Sequence, residues 1–268
     1  MGWDLQYHPF RAQEVVDIYF RCLDDPDHYR CVGRTFALQE EPTEQLGNFL
    51  DSVRKMIATT GGNPPGRFHM FAIAAVAGFL RKYWYVRGSA LSFLPDEILE
   101  KYITDWSDLI PGERANGPFT SRLEENYAGG VFLTPEALRR LRDDYVTNDT
   151  LRKHLDDLFS HGRLAVFWQA ADFAIEHNVG LIEASEVTEP NPLDLNESSS
   201  KSFLLNCQTE GVLLYAEAVA EQMREVQETI KQAVKQQGQA TASPAVGEQG
   251  LIRRPPGLLR RLFGKKPK

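Results

Sequence analysis

The stretch FAIAAVAGFL, Phe71 to Leu80, is apolar on every side and limits what the chain can fold into. At helical spacing such a segment has no face suited to water, so it must be surrounded by protein or lipid. A membrane span takes about 20 apolar residues, roughly twice this length. The segment is therefore expected to be the central helix of a folded core, running from about Phe68 to Tyr85 and broken at Gly88. The rest of the chain must supply one-sided elements to cover it.

Such elements follow one another along the sequence. Val15, Val16, Tyr19 and Leu23 form a helical stripe that DDPD stops. Leu46, Phe49, Leu50, Val53 and Ile57 form a second, with Thr43 as its expected cap and Gly61–Gly62 as its end. In LTPEALRRLRDDY, Thr134 is the expected N-cap, Pro135 fits the first turn, and Leu138, Leu141 and Tyr145 supply the buried face. Leu151, Leu155, Leu158 and Phe159 mark a shorter helix; Leu164, Phe167, Trp168, Ala171 and Ile175 mark a longer one. Residues 105–130 are turn-rich, ALSFL is a short strand or an extended link, and VGLIEASEV is a strand. From Thr209 to about Gln236 a long helix keeps only Met223, Val226, Ile230 and Val234 as its later stripe. That stripe is expected to pack within the chain rather than to form a short coiled coil. The pattern predicts an α+β fold, mainly helical, with a few short strands in one globular domain over residues 1–237. A flexible linker over 238–250 and a disordered basic amphipathic tail over 251–268 are expected to follow.

The opening segment, MGWDLQYHPF, alternates as a strand does. Trp3, Leu5 and Tyr7 fall on one face, while Asp4, Gln6 and His8 fall on the other, and Pro9 is expected to end it. At ~3.3 Å per residue, Asp4 and His8 lie about 13 Å apart, too far to hydrogen-bond. His8 therefore reads as a polar residue at a strand end, on the solvated face, and not as a catalyst.

Charge is unevenly placed. Residues 249–268 hold seven Lys/Arg and no acid, which leaves 23 basic against 37 acidic residues, a net −14, over the body. An acidic body disfavours direct nucleic-acid binding, which needs a basic face for phosphate. It suits a cationic partner instead. The tail mixes Leu251, Ile252, Leu258, Leu259, Leu262 and Phe263 with Arg253, Arg254, Arg260, Arg261, Lys265 and Lys266. Such a segment can lie on an anionic membrane surface, dock into an acidic groove or fold back on its own body. Cys22, Cys31 and Cys207 are too few and too scattered for a disulfide framework or a zinc site. With no secretory signal at the N-terminus, a cytoplasmic protein with reduced thiols is expected, peripheral to the inner membrane if the tail binds there.

Catalytic signatures are lacking. GGNPPG precedes a helix as a phosphate loop would, but it has no lysine–hydroxyl pair, and no GxGxxG or GxSxG occurs. His154, Asp157 and His161 could share one helical face, yet no metal signature accompanies them, and no metal or cofactor is assigned. Catalytic residues are likewise unassigned. The more distinctive stretch is EASEVTEPNPLDLN, whose Glu183, Glu186 and Glu189 sit at a strand end and are candidate partner-binding residues.

MGWDLQYHP and EASEVTEPNPLDLN, about two dozen residues in all, resemble segments of bacterial cytoplasmic immunity proteins from contact-dependent toxin systems. The resemblance implies a non-enzymatic protein that binds and blocks a cognate toxin. The alternatives are a small cytoplasmic hydrolase or transferase with a site assembled from distant residues, and a membrane-peripheral scaffold that uses the tail.

Overall fold

The computed structural model describes residues 3–62, 64–115 and 119–240, with side chains through Val234. The chain begins with β1 (Leu5–Phe10) and a π-helical turn (Val15–Phe20) that runs into α1 (Arg21–Asp24). Next come α2 (His28–Thr35), α3 (Glu40–Thr59), α4 (Gly66–Leu80), β2 (Tyr83–Tyr85), α5 (Asp96–Leu99) and β3 (Gly129–Leu133). α6 (Pro135–Thr147), α7 (Asp149–Leu158) and α8 (Arg163–Glu176) lead to β4 (Gly180–Ser185). β5 (Thr188–Glu189), β6 (Ser199–Ser200), β7 (Cys207–Gln208) and α9 (Thr209–Ala240) complete the described strands and α-helices, and short 3-10 turns lie between them. The fold is α+β and mainly helical. It divides into two compact units, Met1–Gln222 and Met223–Lys268, so the first ends within α9 and short of residue 237.

The first unit is built on a five-stranded sheet in the order β3-β4-β1-β2-β7. β1 pairs antiparallel with both β4 and β2, β3 pairs antiparallel with β4, and β7 runs parallel to β2. One face of the sheet presents Phe10, Phe132, Ile182 and Ala184 to a core shared with α4 and with the helices around it. The other presents Tyr7, Trp84, Val131, Leu133 and Leu181 to α6, α7 and α8. Helices on both faces leave β1 no solvated side, and all six of its residues are buried. The expected division into a structural and a solvated face therefore fails for Gln6 and His8, both 0% exposed.

Pro9 does not end β1 either. The strand continues to Phe10, paired with Gly180, because β2 reaches only Gln6 and Tyr7 and leaves Pro9 with a neighbour on one side. The apolar helix sits at the centre of its core as expected, with every residue from His69 to Leu80 buried. It stops at Leu80, five residues short of the expected end. Arg81 adopts an extended backbone, and the aromatic, strand-favouring Tyr83–Tyr85 join the sheet instead of extending the helix. α3 starts at Glu40, before Thr43, whose hydroxyl donates to the Gln39 carbonyl from inside the first turn. α6 begins as its sequence dictates: Thr134 accepts from the Ala137 amide, and Pro135 follows it. The turn-rich stretch before it ends in a strand, β3. α9 runs to Ala240, past the expected start of the linker at 238; residues 241–268 lie outside the described residues, and with them Arg253, Arg254, Arg260, Arg261, Lys265 and Lys266.

Candidate functional site

The three candidate partner-binding carboxylates sit in different surroundings. Glu183 lies opposite Tyr7 in the β1–β4 register and is 0% exposed. The Tyr7 hydroxyl donates to Glu183 Oε2 at 3.0 Å, and the Ser92 amide reaches both carboxylate oxygens at 3.3 and 3.4 Å. Burial outweighs these bonds and pushes the Glu183 carboxyl up to about 7. No surface is left on it for a partner. Glu186, at a positive φ of 60°, is also buried, beside Asp4; burial first and the Asp4 charge second push it up to about 7. Glu189 alone is partly exposed, and it accepts from the Tyr127 hydroxyl at 3.1 Å. Carboxylates at 183 and 186 cannot form the contact surface their sequence suggests, because β4, which bears Glu183, has helices over both of its faces, and the turn after it folds Glu186 onto Asp4.

His8 and His69 are equally closed. Burial pulls His8 down to about 3, and its ring stacks on Tyr83 with centroids 4.7 Å apart. Neither of its ring nitrogens has a hydrogen-bond partner. His69 is bridged between the Tyr19 hydroxyl and the Arg114 carbonyl, each at 2.7 Å, and burial lowers its pKa. His161 falls beyond the end of α7, at a positive φ of 58°, off the helical face that carries His154. Among the described residues no three His, Cys, Asp or Glu side chains converge to hold a metal. The thiols of Cys22 and Cys207 are pushed up to about 12, chiefly by burial, and stay protonated at neutral pH.

An open feature lies in the second unit. From Met223 to Val234 every side chain of α9 is exposed, including Met223 at 46%, Val226 at 48%, Ile230 at 57% and Val234 at 63%. The expected packing of this stripe within the chain is therefore not what the structure has. Met223, Val226 and Ile230 fall at alternating intervals of three and four residues, the spacing of a coiled-coil seam. The positions that would flank such a seam, Gln222, Gln227 and Thr229, are uncharged. The seam can thus bury apolar area against another helix without setting like charges against each other. No described helix is long and apolar enough to cross a membrane. Comparisons with protein-family models, with curated proteins and with solved structures found no match.

Proposed function

We propose that the chain is a binding protein that occludes a protein partner, and that a helix of that partner docks along Met223, Val226, Ile230 and Val234. The exposed apolar seam carries this reading: a row of half-exposed aliphatic side chains on one helix face gains free energy only by meeting another apolar surface. The closure of Glu183, His8 and His69 supports a binder over an enzyme, since none of these groups faces open solvent. The net charge of −14 over residues 1–248, 23 basic against 37 acidic, favours encounter with a cationic partner. The resemblance of MGWDLQYHP and EASEVTEPNPLDLN to immunity proteins narrows that partner to a toxin.

A photo-crosslinking residue placed at Ile230, in the source organism, tests the proposal. The expected product is one foreign protein joined to the chain. When expressed alone that protein should arrest growth, and the wild-type chain should relieve the arrest. The Val226→Glu/Ile230→Glu chain should neither bind it nor protect. Cross-links only to a second copy of the chain, or a partner whose effect the wild-type chain leaves unchanged, would overturn the proposal.

A further inference from the structure

A second open feature belongs to the first unit and is independent of the helix seam. A cleft of about 760 Å³ opens between the turn after β2, the turn before α8 and the first turns of α9. Its volume lies within the roughly 300–1,000 Å³ of small-ligand sites. Leu214, Ala218 and Val219 make an apolar wall; Arg87, Arg163, His161, Tyr215 and Gln222 supply the polar groups, and no Asp or Glu lines the cleft.

The charges there are not equivalent. Arg87 is paired with Asp4, which also accepts from the Tyr85 hydroxyl at 2.5 Å, and its guanidinium lies 4.6 Å from the centre of the Tyr215 ring. Arg163 has no carboxylate partner among the described residues. Three of its five N–H groups are taken by neutral acceptors: the Ser160 carbonyl at 2.8 Å, the Ser160 hydroxyl at 3.1 Å and the Arg87 carbonyl at 2.6 Å. Two N–H groups remain, on a guanidinium already held in place by the other three. The Tyr215 hydroxyl also lacks a protein hydrogen-bond partner among the described residues. The cleft therefore carries one guanidinium without a carboxylate partner, free donors on Arg163 and Tyr215, the neutral amide of Gln222 and the imidazole of His161 beside them, and an aliphatic wall. A charge of +1 matches a monoanion better than a doubly charged phosphate, and the planar guanidinium suits a carboxylate.

We infer that this cleft binds a monocarboxylate with an aliphatic body, its carboxylate held by Arg163 and Tyr215 and its chain laid on Leu214, Ala218 and Val219. A free organic acid and the C-terminus of an apolar peptide share that chemistry.

Isothermal titration of the full chain with decanoate, decanol and decyl phosphate tests the inference. Trileucine with a free or an amidated C-terminus, titrated alongside, separates the two sources of carboxylate. Decanoate, free-acid trileucine or both should bind with 1:1 stoichiometry, and at least tenfold more tightly than the uncharged decanol or trileucine amide. Decyl phosphate should bind more weakly than decanoate. Arg163→Gln should lose at least tenfold in affinity and Tyr215→Phe several-fold. Ala218→Glu changes an exposed position on α9 and sets a carboxylate beside the wall, so it should abolish binding in a chain that still folds. Absence of saturable binding by either carboxylate would overturn the inference. So would equal binding of the uncharged analogues, tighter binding of the phosphate, or affinity unchanged in Ala218→Glu.

Discussion

Tyr7 and Glu183 are register partners across the β1–β4 pair, and the Tyr7 hydroxyl donates to the Glu183 carboxylate at 3.0 Å. A carboxyl whose pKa is pushed from its ordinary 4.5 up to about 7 makes the folded state bind a proton that the unfolded state releases. Its contribution to stability is complete below pH 4.5 and is lost as pH rises through 7. A shift of this size corresponds to about 3 kcal/mol. Glu183→Gln keeps the shape and removes the titration. Urea unfolding at pH 4.5 and 7.5 should show the wild type losing about 3 kcal/mol relative to the variant. Glu186 titrates in both chains and cancels from that difference. Parallel pH profiles would show that Glu183 does not titrate in this window.

His8 has the opposite sign. Burial pulls its pKa from 6.5 to about 3, so its contribution is present above pH 6.5 and is lost as pH falls toward 3. Both ring nitrogens are buried without partners, a condition that costs about 1–3 kcal/mol per group. His8→Phe keeps a ring against Tyr83 and removes the orphaned nitrogens. It should raise stability by about 1–2 kcal/mol at pH 7, and by more at pH 5. Chemical denaturation at the two pH values checks both the gain and its direction.

Glu14 and Arg81 form a two-pronged ion pair, with hydrogen bonds of 2.8 and 2.5 Å and side chains only 9% and 12% exposed. Arg81→Met leaves the buried Glu14 carboxylate only Arg11, through its amide at 2.9 Å and its half-exposed guanidinium at 3.3 Å, and should cost up to about 3 kcal/mol. The double variant Glu14→Gln/Arg81→Met should recover part of that loss, because the under-compensated buried charge is gone. A double-mutant cycle in urea reads the coupling. Additive losses would mean that the two charges are not coupled.

Gly211 lies under the start of α9, where a Cβ would come within 1.7 Å of the Tyr85 carbonyl oxygen. That oxygen belongs to the backbone of β2 and cannot swing aside. Gly211→Ala should therefore lift the first turn of α9 off the sheet at a cost of about 3 kcal/mol. Limited proteolysis near residue 209, compared between variant and wild type, should show faster cutting in the variant.

The helices on the far face of the sheet were the most legible part of the chain. Thr134, Pro135 and the stripe from Leu138 place α6 within a residue, since a cap and a 3.6-residue period are local signals. Short strands were not legible: Tyr83–Tyr85 follows an apolar helix without a turn residue between them, and three residues have no period. The alternation in β1 was real, but it does not reveal whether the polar face meets water or another layer. Only the positions of α4 and Tyr83 decide that for His8. Glu183 misled for the same reason, because its partners Tyr7 and Ser92 are 176 and 91 residues away. The cleft arginines left only a faint trace. Arg87 and Arg163 adjoin Gly88 and Gly162, and neither has an acid within four positions in sequence.

The central place of β1 bears on how the chain is made. LQYHPF leaves the ribosome before either of its partners: β2 arrives only at residue 83 and β4 only at residue 180. Until β2 emerges the middle of the sheet is thus a bare, largely apolar strand with two unpaired edges, and until β4 emerges one edge stays open to pairing with neighbouring nascent chains. The sheet can close only late in translation. A message truncated before residue 180 would release a sticky fragment, not a smaller folded protein.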